Sequence, residues 1–205
     1  MSTSKAIPLA PLRRRDQQRE ETRNRLFEAA IAEFRRTGFA EAQIDDIVRA
    51  ANVARGTFYF HFPTKDHVLV ELQRRGQERI VERLAGLRRR PLAVKSFLQQ
   101  LVDAMIAESA TAAEPSLQRE LFALYARQPM ALDGLDYPLL EAVTQFFREA
   151  QERGEVRSDL MPSELTAIFL TSLFGVLLGN KEGMGPALRA PLKRVIDVFV
   201  RGVAP

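Results

Sequence analysis

The sequence predicts an all-α protein of about nine helices. Apolar residues recur at three- and four-residue spacing through nearly every segment after residue 18. No segment keeps the strict alternation of a half-buried strand for more than a few residues. Helix-stopping residues stand where the periodic stretches end or begin, at Gly38, Pro63, Gly154 and Pro162. There is no low-complexity tract and no internal repeat.

In chain order, residues 1–18 read as an extended basic arm, with Pro8, Pro11 and the run Arg13-Arg14-Arg15. A first helix over 22–36 follows from Leu26, Phe27, Ala30, Ile31 and Phe34, and Gly38 stops it. A short second helix over 44–51 has Ile44, Ile47, Val48 and Ala51 on one face. Asn52 then tolerates the left-handed backbone of a tight turn. A third short helix fits 54–60. Pro63 cannot continue it, and Thr64 caps a fourth helix over 65–87, with Asp66 in its first turn. Further helices fit 92–109, 117–128 and 135–153. Gly154 breaks the last of these, and Pro162-Ser163-Glu164 opens an apolar helix to Leu178. A glycine-rich loop over 179–186 precedes a final helix that stops near Gly202.

The chain has 205 residues, which suits one large domain or two small ones, and its 46% hydrophobic content supplies a core. It contains no cysteine, so disulfides and thiolate metal sites are excluded and a reducing, cytoplasmic setting is expected. The first 20 residues lack the apolar core of a signal peptide. The longest apolar run, 167–179, falls short of the about 20 residues of a membrane span. Charge is uneven. Residues 1–90 carry 19 Lys+Arg and 12 Asp+Glu, against 11 and 14 over residues 91–205. A basic N-terminal part suggests a polyanionic partner.

Residues 43–62, QIDDIVRAANVARGTFYFHF, are two short helices around a turn of about three residues, the layout of a helix-turn-helix. Ile44, Ile47, Val48, Ala51, Val53 and Phe58 are expected to pack the two short helices onto Phe27, Ile31 and Phe34 of the first, leaving Arg55, Gly56 and Thr57 at the start of the third helix and Tyr59 and His61 near its end. Gly56 costs a helix up to about 1 kcal/mol against alanine and makes sense where a backbone approaches something closely. Arg55 can donate to guanine O6 and N7, and Thr57 offers a hydroxyl and a methyl to bases. Tyr59, His61 and Lys65 suit phosphate oxygens.

This segment, from TGF at 37–39 through IDDIVRAANVARGTFYFHFPTKDHVL, resembles the DNA-binding domain of the TetR family of bacterial transcriptional repressors. The resemblance covers about residues 20–80. It implies that the third helix enters the major groove, that Tyr59, His61 and Lys65 contact phosphates, and that a fourth helix leads to a ligand-binding, dimerising domain. Two positions depart from the pattern: Phe60 stands where tyrosine is common, and Gln43 where a threonine usually caps the second helix. The expected organisation is a basic arm over 1–18, a DNA-binding domain over 19–80 and a helical ligand-binding and dimerisation domain over 81–205. The expected partners are an operator DNA duplex, a small-molecule effector and a second copy of the chain. No cofactor, metal or membrane is expected.

In the C-terminal part, Met105, Phe122, Tyr125, Phe146 and Phe147 are pocket candidates because they are large and lie on apolar faces, which favours a hydrophobic or aromatic effector. The last two helices carry more apolar surface than one core face needs. Phe169, Leu173, Gly175, Leu192, Val195, Ile196 and Phe199 are the dimer candidates, with Gly175 and Gly179 allowing close helix approach. An enzyme finds little support, since no G-x-S-x-G elbow or phosphate-binding glycine loop occurs. A metal site at His61 lacks partners; the only other histidine is His67. The competing function is a basic helical protein of membrane surfaces or RNA, using Arg74, Arg75, Arg79, Arg83 and Arg88–Arg90. Glu71, Glu78 and Glu82 would instead make that face a solvated one with i,i+4 pairs. Only the helix-turn-helix reading explains both Gly56 and the turn at Asn52.

Overall fold

A computed structural model of the chain describes residues 14–87, 92–112, 115–127, 137–178 and 186–205. These form nine α-helices and no strand: α1 (Arg14–Thr37), α2 (Ile44–Ala51), α3 (Arg55–His61), α4 (Lys65–Leu87), α5 (Val94–Ala112), α6 (Pro115–Arg127), α7 (Pro138–Glu152), α8 (Pro162–Leu178) and α9 (Arg189–Gly202). A single 3₁₀ turn, Pro186–Leu188, leads into α9. The chain divides into two compact units between Val68 and Leu69, inside α4, rather than at 80/81. No helix among the described residues is long and apolar enough to cross a membrane.

In the first unit, α1 buries Leu26, Phe27, Ala30, Ile31 and Phe34 against α2, which buries Ile47, Val48 and Ala51. The helix starts at Arg14, so the last residues of the expected arm are helical, and residues 1–13 lie outside the described part. Gly38, at φ 86°, ends α1 as expected, and its N–H donates to the Phe34 carbonyl at 3.0 Å. Asn52 takes the left-handed conformation (φ 52°, ψ 54°) after α2. Its N–H donates to the Arg49 carbonyl at 3.2 Å and that of Val53 to the Val48 carbonyl at 3.0 Å. That is a Schellman ending with asparagine in the usual glycine position, and it fixes the turn between α2 and α3.

The second unit is built around α5, α7, α8 and α9, with α7 packed on α8 and α9 on both α5 and α8. Its core holds a run of rings. Phe97 and Phe146 stack at 3.7 Å between centroids, Phe146 meets Phe147 edge-on at 5.8 Å, and Phe199 lies 5.7 Å from Phe147 and 5.0 Å from Phe169. Polar links tie the helices together. Gln77 Oε1 on α4 accepts the Leu139 N–H, an otherwise orphan donor in the first turn of α7, at 3.3 Å. Lys95 pairs with Asp197 at 2.7 Å and Arg189 with Asp103 at 2.6 Å, both between α5 and α9.

Candidate nucleic-acid interface

α3 has only two turns, so only one of its faces can reach a core. Phe58 is fully buried, and Phe62 just beyond the helix is too; these residues are one turn apart. Everything else on α3 is displaced outward or to the flank. Arg55, Gly56, Tyr59 and Phe60 are exposed, while Thr57 and His61 are half-buried. Tyr59 and Phe60 keep 43% and 64% of their surface in solvent, an unusual amount for aromatic residues on so small a domain. A Cβ built on Gly56 meets nothing within 4 Å. No neighbour among the described residues therefore requires glycine there.

The Arg55 guanidinium is held in place. Its Nη1 donates to Asp45 Oδ1 at 2.6 Å and its Nη2 to the Tyr59 hydroxyl at 3.4 Å, with the cation 6.0 Å from the Tyr59 ring centroid. The Tyr59 hydroxyl and the Asp45 carboxylate together raise the Arg55 pKa further above its ordinary value. At the other end of α3, Arg19 lies over the Phe60 ring at 5.0 Å and Arg23 over the Phe62 ring at 4.9 Å, so α1 contributes cations beside His61. Partial burial, then the charges of Arg19 and Arg23, lower the His61 pKa below 6.5, with Glu20 opposing.

Two expected contacts are placed differently. Lys65 Nζ donates to the carbonyls of Phe39, Ala40 and Ala42 at 2.9, 3.0 and 2.9 Å and sits 5.2 Å from the Phe39 ring centroid. An ammonium has three protons, so its donors are committed to the turn between α1 and α2, and Lys65 acts as a structural tie. Gln43 occupies the N-cap position of α2 without a capping side-chain bond; its Nε2 donates back to the Glu41 carbonyl at 3.0 Å. Thr64 directs its hydroxyl to Asp66 Oδ2 at 3.3 Å and lies 2.9 Å from His67 Nδ1. Asp45, Arg19 and Arg23 were not singled out in the sequence. A pair bridging two helices across a turn leaves no periodic signal, and the arginines of α1 continue the run of charge that looks like a tail.

The C-terminal candidates also move. Phe146 and Phe147 belong to the ring cluster of the core, and Met105 packs against the same core. The side chains of Phe122 and Tyr125 lie outside the described residues. A cleft of about 710 Å³ is lined by Glu78, Val81 and Glu82 of α4 and Pro138, Glu141 and Arg148 of α7, among others. Of the dimer candidates, Phe169, Leu173, Leu192, Ile196 and Phe199 are buried in this chain's own core, because they occupy the inward faces of α8 and α9. Gly175 is exposed and Val195 half-buried, and Gly179 lies outside the described residues. The outward apolar residues of these helices are Ile168 and Val198, the latter 74% exposed. They border a groove of about 630 Å³ together with Ser172, Val176, Pro191 and Val195.

Three arginines of the competing basic-face reading, Arg74, Arg75 and Arg79, are engaged within the chain. Glu71, only 3% exposed, accepts from Arg74 Nη2 at 3.0 Å and Arg75 Nε at 2.7 Å. Arg74 also reaches Glu78 at 2.5 Å, and Arg79 pairs with Glu108 at 2.6 Å. Residues 88–90 lie outside the described part.

The family comparisons agree with this architecture. A model of bacterial regulatory proteins of the tetR family matches residues 26–72. A model of the C-terminal domain of SbtR-like transcriptional regulators matches residues 92–205, more than half of the chain. The HTH-type transcriptional regulator UidR of Escherichia coli K12 is 27% identical over 186 residues, 89% of this chain and 92% of its own length. Thermus thermophilus FadR, a TetR family transcriptional repressor solved in complex with lauroyl-CoA, matches at TM-score 0.69 and 23% identity, covering 87% of this chain and 91% of that one. Salmonella enterica GusR matches at TM-score 0.62 and 22% identity, covering 88% and 96%. These structural matches describe a shared fold.

Proposed function

The chain belongs to the TetR family of bacterial transcriptional regulators, and from that premise we propose that it is a cytoplasmic, homodimeric repressor that leaves its operator when a small molecule binds its C-terminal unit. The observation that carries the DNA-reading part is the outward surface of α3. Arg55, Gly56 and Thr57 occupy its first turn, where the recognition helix of a helix-turn-helix addresses base edges. A glycine with open space above it lets DNA approach the backbone. Tyr59 and His61, with Arg19 and Arg23 from α1, supply donors for phosphate. Phe60 offers only apolar contact. Lys65 supports this surface indirectly by fixing the turn before α2.

Dimerisation through α8 and α9 is supported by their exposed apolar residues Ile168 and Val198, which border one groove, and by the open space at Gly175. A dimer is what presents two recognition helices to successive major grooves, about 34–36 Å apart. The effector would lie in the C-terminal unit. The cleft between α4 and α7 is lined by apolar Val81, Pro138 and Ala142 together with charged Glu78, Glu82, Glu141 and Arg148. That lining favours an amphipathic molecule over a purely hydrophobic one. Because α4 continues without a break from the first unit into the second, a ligand that shifts α4 biases DNA binding, and DNA must bias the ligand equally.

The test is an anisotropy titration of the full chain against the intergenic DNA upstream of its own gene, at two salt concentrations, for wild type and Tyr59→Ala. Selective binding that weakens at least tenfold in the variant, with unchanged melting temperature, is expected. Equal affinity for unrelated DNA in both proteins would sink the reading and return the basic-surface alternative.

A further inference from the structure

We propose that Asp45 is a specificity-determining residue of the DNA-reading surface, holding Arg55 in one orientation and opposing its capture by phosphate alone; this rests on the operator reading above. Asp45 lies in the first turn of α2 and Arg55 opens α3, and their 2.6 Å contact crosses the turn that Asn52 fixes. The orientation of the guanidinium is thus set by the helix-turn-helix itself and not by a flexible loop. Tyr59 flanks the same group one turn along α3, at 3.4 Å from Nη2.

Two physical consequences follow. A long arginine side chain normally loses rotamer freedom when it engages DNA; here part of that ordering precedes binding, which favours a directional contact. Of the five N–H donors of arginine, one is taken by Asp45 and one by Tyr59, so a fork remains for an acceptor pair such as guanine O6 and N7. The second consequence is repulsive. A carboxylate beside the reading helix repels phosphate and competes with it for Arg55. Phosphate contacts supply most of the affinity for unrelated DNA, so Asp45 weakens that binding more than binding to a site that rewards Arg55 with guanine.

Asp46 provides an internal control. It is the next residue and carries the same charge, but it pairs with Arg49 on its own helix at 2.6 Å and does not bridge to α3. Neutralising either aspartate changes net charge equally; only one releases Arg55.

The experiment measures the affinity of the full-length protein for a duplex selected by wild type from a randomised pool, and for a mixed-sequence duplex of the same length. In Asp45→Asn the ratio of the two affinities should fall by about two- to fivefold, the range open to an exposed ion pair. Binding to mixed DNA should tighten more than binding to the selected duplex. A fresh selection with this variant should show a relaxed guanine preference. Asp46→Asn should move both affinities alike, and Asp45→Asn added to Arg55→Ala should leave the ratio unchanged. Both aspartates are solvent-accessible, and a thermal melt checks that each variant is folded. An unchanged or higher ratio in Asp45→Asn, or an equal fall in Asp46→Asn, would overturn the role of Asp45 alone. If wild type selected no duplex from the pool, the operator reading itself would fall, and this proposal with it.

Discussion

Aromatic residues serve opposite ends in α3 and in the core of α7, α8 and α9. In α3, Phe58, Tyr59 and Phe60 are consecutive, yet only Phe58 is buried. In the C-terminal unit, Phe146 and Phe147 are also consecutive, and both are buried, each in contact with further rings. Hydrophobicity does not separate the two cases; surroundings do. α7 has partners on more than one side, so two adjacent positions can both find a core. α3 has seven residues and one buried face, so an adjacent aromatic is left at the surface, where Arg55 meets Tyr59 and Arg19 meets Phe60 but no core receives the ring. Exposed aromatics beside arginine, glycine and threonine mark a binding surface; the same residue type among other rings marks a core.

The largest effect should come from breaking the core side of that comparison. Phe147→Ala should destabilise the protein by about 3–5 kcal/mol in denaturant unfolding, whereas Phe60→Ala should stay within about 0.5 kcal/mol. Comparable losses at both positions would erase the distinction. Lys65→Ala comes next. With three charge-assisted bonds to the 39–42 turn removed, stability should drop by about 1.5–3 kcal/mol. The salt slope of DNA binding should stay as it is. A slope lower by about one unit with unaltered stability would instead give Lys65 back the phosphate contact that its position suggests.

The helix boundaries of α2, α4 and α8 were legible because sharp local signals mark them: Asn52, Pro63 and Pro162. The outward set on α3 was legible too, because burial of Phe58 and Phe62 dictates what is left over. Legibility failed where an answer depends on which face of a helix meets a neighbour. Phe169, Leu192 and Phe199 have the same composition whether they face a partner copy or their own core, and the packing of α8 on α9 decides for the core. It failed again for Lys65, whose sequence position suits phosphate but whose three acceptors lie 23–26 residues earlier. The basic run at the start of α1 looks like a tail from its composition, but Arg14 already begins the helix that carries Arg19 towards Phe60.

A smaller effect sharpens the α3 side. Gly56→Ala should stabilise the fold by up to about 1 kcal/mol, since alanine is the better helix former and its Cβ has open space. The same methyl group should weaken operator binding, because it stands where the backbone is free to approach DNA. Opposite signs in a melt and a titration are the expected result. If both measurements improved, Gly56 would have no part in the interface.

The smallest effect concerns protons. His61 has its pKa lowered below 6.5, first by burial and then by Arg19 and Arg23, so it is neutral at pH 7. As pH falls through 6.5 the unfolded chain protonates before the folded one, and the stability linked to His61 declines from there towards its folded pKa. Bound DNA is expected to oppose this bias. A phosphate near Arg19 and Arg23 would offset their field and favour the imidazolium, so binding should take up part of a proton and operator affinity should rise as pH falls. One group can contribute at most about a tenfold change per pH unit. His61→Gln keeps a polar side chain and removes the titration, while His67 remains in both proteins. The difference between their affinity profiles from about pH 5.5 to 7.5 therefore isolates His61. Identical profiles would place no phosphate at the junction of α1 and α3, and the contact surface would then end at Tyr59.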